Sequence, residues 1–150
     1  MLAAGGIADG RGIAASFMLG ARGVQVGTRF LCATECQVHP NYKKKILAAR
    51  DIDTVVTGKR LGHPVRCLKN PFARSFGQME YDSTITNEEI EAFGAGSLRK
   101  AAVEGDMENG SIMAGQIAAL VKEEQPAAQI IREMFAQAEQ LLAEAAKWVR

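Results

Sequence analysis

"MLAAGGIADGRGIAASFMLGARGVQVGT", residues 1–28, decides the fold class. Residues 1–4 are a short apolar run, Gly5 and Gly6 follow, and Asp9-Gly10-Arg11-Gly12 leads into the helical pattern Ile13-Ala14-Ala15-Ser16-Phe17-Met18-Leu19. The order is strand, glycine turn, helix, a junction whose backbone N–H groups suit a phosphate. Gly20-Ala21-Arg22-Gly23 stops the helix. Val24 and Val26, alternating with Gln25, then make a second short strand punctuated by Gly27-Thr28. Strand, helix and strand within roughly 30 residues form a βαβ unit, which predicts parallel strands joined by a right-handed crossover. Its helix is apolar nearly all round and expects cover on several sides, more than two strands supply. A parallel strand at the start of a chain has nothing before it to pair with, so either its neighbours are expected from elsewhere or the start is not the natural one.

Outward from that unit the texture changes. Polar, helix-compatible stretches such as "NYKKKILAAR" are interrupted by Pro40, Gly58, Gly62, Pro64 and Pro71, the pattern of an inserted subdomain, and "DIDTVVTG" reads as one strand. "TNEEIEAFGAGSLRKAAVEGD" predicts a helix broken at Gly94-Ala95-Gly96 and a second short helix from Ser97. "GDMENGSIMAGQIAALVKEE" reads as a glycine-bounded loop entering a helix, with Ser111 as its N-cap. The last segment, "PAAQIIREMFAQAEQLLAEAAKWVR", carries an apolar stripe through Ile130, Ile131, Met134, Phe135, Ala138, Leu141, Leu142, Ala145 and Trp148, with Pro126 in the first helical turn. Three segments follow: 1–31, 32–105 and 106–150.

A chain of 150 residues, 47% hydrophobic and 23% charged, has the composition of a globular domain. A net charge of +1 gives no reason to expect nucleic acid or an anionic membrane as partner. Lys43-Lys44-Lys45 is the basic run and reads as a solvated helix face. Neither a signal peptide nor an apolar run of the roughly 20 residues that span a bilayer is visible. Three cysteines fit a reducing compartment better than a disulfide framework, so a cytoplasmic location is expected.

Two constellations bear on chemistry. Gly5, Gly6 and Gly27 lack a Cβ and sit at the C-terminal ends of consecutive parallel strands, where backbone amides can approach a phosphate. In a (β/α)₈ barrel the loops after strands seven and eight are the usual phosphate site, although ordinary tight turns read the same way singly. Neither loop has the GxGxxG or GxxxxGK[ST] pattern. The second constellation is Gly110-Ser111-Ile112-Met113-Ala114-Gly115-Gln116, a surface suited to a flat aromatic cofactor, with an N-capped helix and one buried Met as the plainer reading. Cys32, Cys36, His39 and Cys67 lack the second ligand pair of a zinc site, so no metal is expected. His63 beside Pro64 reads as structural before it reads as a general acid, and the residues assemble no catalytic set.

"AAGGIADGRGIAASFMLGARGVQVGTRF", "HPNYKKKILAARDIDT", "GHPVRCLKN" and "GAGSLRKAAVEGDMENGSIMAGQIAALV" together resemble the C-terminal half of FMN-dependent enoyl-acyl-carrier-protein reductase II, in the nitronate monooxygenase (2-nitropropane dioxygenase) superfamily. The resemblance implies an α/β fold: the C-terminal part of a TIM barrel, with residues 1–4 as strand seven, a helix seven, residues 23–28 as strand eight, a mostly helical insertion and C-terminal helices. On this likeness the chain begins inside a barrel strand, with six strands before it and the family's catalytic histidine among them, so neither His39 nor His63 inherits that role. Ala4, Gly5 and Gly6 are implied as the first part of an FMN phosphate grip, Gly27 and Thr28 as the second, and Met113, Gly115 and Gln116 as the segment that returns over the flavin. The implied activity carries electrons from NADH or NADPH through FMN to an enoyl thioester on acyl carrier protein, in fatty-acid biosynthesis. The chain by itself is then expected to be inactive, and to form a homo-oligomer or need the missing half. A nitronate monooxygenase, sharing the flavin grip, is the alternative enzyme, disfavoured by the "HPNYKKKILAARDIDT" insertion; a non-catalytic half-barrel serving as an interaction module is the alternative of another kind.

Overall fold

Ala3–Ala4 (β1) pairs in parallel with Val24–Gln25 (β2), Ala3 opposite Val24 and Ala4 opposite Gln25, and helix α1 (Gly10–Met18) connects them. This is the βαβ unit read from the sequence. The helix starts three residues earlier than its apolar pattern because Asp9 caps it, the carboxylate accepting from the Arg11 amide at 2.9 Å. It stops at a Schellman turn: the Gly20 amide donates to the Phe17 carbonyl and the Ala21 amide to that of Ser16. The computed structural model describes residues 1–145 and 147, in two compact units, Met1–Cys36 with Glu123–Arg150, and Gln37–Lys122.

In the first unit, α1 packs on the long helix α7 (Ala127–Ala145), whose Ile130, Met134 and Ala138 recur every four residues and are buried against Ile7, Ile13 and Ala14. Pro126 precedes this helix instead of lying within its first turn, and its carbonyl accepts from the Gln129 and Ile130 amides. The Glu35 carboxylate receives the Ala127 amide at 2.9 Å, a favourable place for a negative charge. Trp148, the end of the expected stripe, lies outside the described residues. One helix covers one side of α1, which leaves Met18 71% and Leu19 89% exposed, as an all-round apolar helix with few neighbours must be. A four-residue helix, α2 (Thr28–Leu31), follows β2.

The second unit holds α3 (Pro40–Leu47), an antiparallel pair β3 (Thr54–Thr57) and β4 (Val65–Leu68), and helices α4 (Pro71–Tyr81), α5 (Asn87–Gly94) and α6 (Ser97–Ala102). The break at Gly94-Ala95-Gly96 falls where the sequence puts it, and Thr86 with Glu89 forms a capping box at the start of α5. Phe72, Phe76 and Ile90 make a small core here. Lys43 corrects the solvated-face reading of the basic run: it is buried, whereas Lys44 and Lys45 are exposed. It shares the inner side of α3 with Tyr42 and Ile46, the positions one back and three on.

Ser111 is not an N-cap. Residues 112–114 are extended and lie antiparallel to β4, with the Leu68 amide donating to the Ile112 carbonyl (2.8 Å) and the Ala114 amide to that of Arg66 (3.1 Å). Pairing at the edge of β4 satisfies backbone groups that a helix would otherwise have served. A short 3₁₀-helix (Gln116–Leu120) follows, entered through Gly115 without a side-chain cap. The same pairing draws residues 106–122 into the second unit, so the compact units are bounded differently from the expected 1–31, 32–105 and 106–150.

Candidate functional site

The first unit sets two turns side by side. Because β1 and β2 are hydrogen-bonded neighbours running the same way, Ala4-Gly5-Gly6 and Gly27-Thr28 leave from the same end of the pair. Gly5 and Gly6 both adopt left-handed backbone, φ +86° and +75°, which an L side chain occupies only under strain. A Cβ built at Gly5, Gly6 or Gly27 would meet nothing within 4 Å, and all three residues are exposed. The ground over both turns is therefore open to an incoming group.

What that ground can hold follows from the donors around it. Main-chain amides and the Thr28 hydroxyl are neutral donors, fit for an anion with several acceptor oxygens. The nearest cation in sequence, Arg29, is buried and turned elsewhere: its guanidinium donates to the Glu123 carbonyl at 3.2 Å and to the Gln125 side chain. Gln125 in turn donates to Glu133 at 3.0 Å, and the Gln125 carbonyl receives the Thr34 amide. This network anchors the chain just after Thr28. Nothing in the local sequence marks Arg29 as buried, because its partners are about a hundred residues away. Asp9, the N-cap of α1 three residues after Gly6, sits beside Arg11, whose guanidinium donates to it at 2.7 Å and holds its carboxyl below the usual carboxylate range.

Met113, Gly115 and Gln116 belong to the second unit. Met113 is half-buried, Gly115 opens the 3₁₀-helix and Gln116 is exposed. Tyr42, which the sequence reading passed over, is 2% exposed and donates its hydroxyl to the Met113 carbonyl at 2.7 Å. An aromatic placed among three lysines and an asparagine was the available signal. Asn70 braces the loop before this segment, its side chain donating to the Met107 carbonyl (2.9 Å) and the Gly110 carbonyl (2.7 Å) while capping α4.

His39 caps α3, its Nδ1 accepting from the Asn41 amide at 3.1 Å, and His63 is exposed in the loop between β3 and β4. Cys32 and Cys67 are buried and Cys36 half-buried; burial pushes the Cys67 thiol up, against the opposing contact with Thr57. Among the described residues no group of three or more His, Cys, Asp or Glu side chains is placed to hold a metal ion, and no helix is long and apolar enough to cross a membrane.

The family model for nitronate monooxygenase matches residues 1–137. The chain belongs to the nitronate monooxygenase family. Within it, the chain is 49% identical to FabK from Thermotoga maritima, with a TM-score of 0.92 over 98% of this chain and 46% of that one. It is 29% identical to the nitroalkane oxidase of Streptomyces ansochromogenes, TM-score 0.75, over 99% of this chain and 41% of the other. A probable nitronate monooxygenase of Staphylococcus saprophyticus is 41% identical over 81% of this chain and 34% of its own length. The chain thus spans less than half the length of these relatives. The nitronate monooxygenase family fold is a TIM barrel, and the β1–α1–β2 unit with its helical companion is part of one.

Proposed function

We propose that the chain is the phosphate-binding part of an FMN-dependent oxidoreductase, and that the whole enzyme reduces enoyl thioesters carried on acyl carrier protein. The observation that carries this reading is the pair of exposed turns at one end of β1 and β2, with left-handed Gly5 and Gly6 and open ground above Gly27. Likeness to FabK over 98% of the chain favours the reductase over other activities of the family.

The residues present fit the cofactor's phosphate. Ala4, Gly5, Gly6, Gly27 and Thr28 would hold it through main-chain amides and one hydroxyl, and a dianion gains from such donors where side chains do not crowd it. The family resemblance assigns Met113, Gly115 and Gln116 to the segment that would return over the flavin, where an amide and a thioether could contact it. When bound, FMN supplies the two-electron relay between NADH or NADPH and the substrate double bond. The chain's own part would be to bind and orient: the glycine turns of the first unit would hold the phosphate, and within the second unit the strand pairing of residues 112–114 fixes the backbone that carries Met113.

The second reading, nitronate oxidation with dioxygen, is favoured by the name of the 41%-identical Staphylococcus saprophyticus relative. One experiment separates them. The chain joined to the remaining barrel strands is purified, its flavin content read from the visible spectrum, and NADH consumption followed with an enoyl thioester or a nitronate as acceptor. Enoyl-dependent NADH oxidation supports the reductase. Oxygen-dependent nitronate turnover without enoyl reduction transfers the assignment to the monooxygenase, and absence of bound flavin in the joined protein refutes both.

A further inference from the structure

In the bridge between Cys67 and Met113 the flanking bonds, from the Leu68 amide to the Ile112 carbonyl and from the Ala114 amide to the Arg66 carbonyl, occupy the residues on either side of Met113. A residue at such a position turns its own N–H and C=O away from the neighbouring strand. The Met113 carbonyl therefore needs a partner from another element, and α3 supplies it: the hydroxyl of Tyr42, at 2.7 Å. Tyr42 is all but fully enclosed, so this hydroxyl is held where it is by the packing of the ring. A phenol has two torsions to restrain, and an enclosed ring defines its oxygen closely. α3 also packs on the 3₁₀-helix that begins just after Gly115.

We infer that Tyr42 is a positioning residue, whose hydroxyl, by fixing the Met113 carbonyl on the side away from β4, sets the backbone of residues 113–115 for contact with the flavin. The inference rests on the FMN reading for the last step and on this unit's geometry for the rest. Phenylalanine at position 42 keeps the ring and removes the bond, leaving a carbonyl in a partly enclosed place without its donor. Tyr81, 88% exposed at the end of α4, is the matched control for loss of a phenolic hydroxyl.

The test compares Tyr42→Phe and Tyr81→Phe in the intact protein by amide hydrogen exchange, with and without FMN, and by FMN titration. In Tyr42→Phe the Ala114 amide should exchange roughly tenfold faster, with β3 and the β3-facing amides of β4 unchanged, and FMN affinity should fall roughly fivefold or more, with a shifted visible band. Tyr81→Phe should leave both readouts at the parent value. Unchanged exchange at Ala114 overturns the inference. So does an equal acceleration through β3 and β4, or loss of folding, because the hydroxyl would then stabilise the unit rather than place a segment. Faster exchange at Ala114 with unaltered FMN affinity and spectrum overturns the link to the cofactor. A parent protein that binds no FMN overturns the FMN reading instead, and the exchange measured without flavin still decides what the hydroxyl does.

Discussion

Gly6 and Gly62 make a matched pair for testing the phosphate grip. Their φ values are +75° and +77°, both are exposed, and a Cβ built on either meets nothing within 4 Å. Valine at either site therefore carries the same cost, left-handed backbone strain of about 1–2 kcal/mol for an L residue, without a steric clash. They differ in place. Gly62 lies in the loop between β3 and β4, whereas Gly6 follows β1 beside the turn after β2. If the Gly6 turn holds phosphate, a branched side chain there obstructs the approach of the anion and displaces at least one amide from it. Hydrogen bonds to a charged partner are worth about 1.5–3 kcal/mol, so loss of one weakens FMN binding by roughly 10- to 150-fold. Riboflavin lacks the phosphate and should not notice. Equilibrium dialysis of the intact protein against FMN and against riboflavin reads both numbers. Gly6→Val should raise the FMN dissociation constant at least tenfold, on the same estimate, and leave riboflavin unchanged; Gly62→Val should alter neither. An equal loss of both ligands in Gly6→Val means that strain, not lost phosphate contact, lowered affinity. Full retention of FMN means that the turn does not hold it, and either result refutes the reasoning.

Three further outcomes follow from the same geometry. Asn70→Ala removes the cap of α4 and strands the Met107 and Gly110 carbonyls, so urea unfolding should show a loss of about 2–4 kcal/mol; a loss under about 1 would mean that water replaces the amide. Gly10→Ala would bring a methyl to 2.5 Å from the Met134 carbonyl oxygen and 2.6 Å from the Ala138 amide, backbone atoms that cannot step aside. The α1–α7 packing must open, and thermal melting should report a destabilisation of about 1–3 kcal/mol, against little change for Ala15→Gly beyond helix propensity. Asp9 has its carboxyl lowered, first by the hydrogen bond from Arg11, so its contribution to stability is present above the unfolded value of 3.8 and lost as pH falls through the lower folded value. The group is mostly exposed, which keeps that contribution under about 1 kcal/mol. Asp9→Asn retains the cap acceptor and loses the charge, so melting temperatures of the two proteins should differ at neutral pH and converge in acid; a constant gap would assign the effect to the cap.

How much of this was legible in the sequence depends on whether a contact is local. The β1–α1–β2 unit was, since its strands, stop signals and glycines lie within 28 residues and each acts on its own neighbourhood. So were the α5–α6 break and part of the α7 stripe: the spacing picks out Ile130, Met134 and Ala138, which are buried, but also Ile131 and Phe135, which are 49% and 40% exposed. β4 was not: Val65–Leu68 is a four-residue run directly after Pro64, and what makes it a strand is its pairing with β3 and with residues 112–114. The misassignment of Ser111 has the same origin. A small polar residue before an apolar run satisfies the local rule for a helix start, and the β4 edge, some forty residues earlier in the chain, overrides it by offering the backbone better partners. Lys43, Arg29 and Tyr42 show the complementary failure, in which the residue type predicts exposure or indifference and the side chain is buried; for Arg29 and Tyr42 the hydrogen-bond partners lie 94 and 71 residues away. The candidate site divides along this line. Its glycine turns are set by conformations that only glycine takes comfortably, and were visible as letters. The placement of Met113 is set by one hydroxyl and two strand bonds from elsewhere in its unit, so the letters GSIMAGQ mark the segment and the rest of the unit determines its shape.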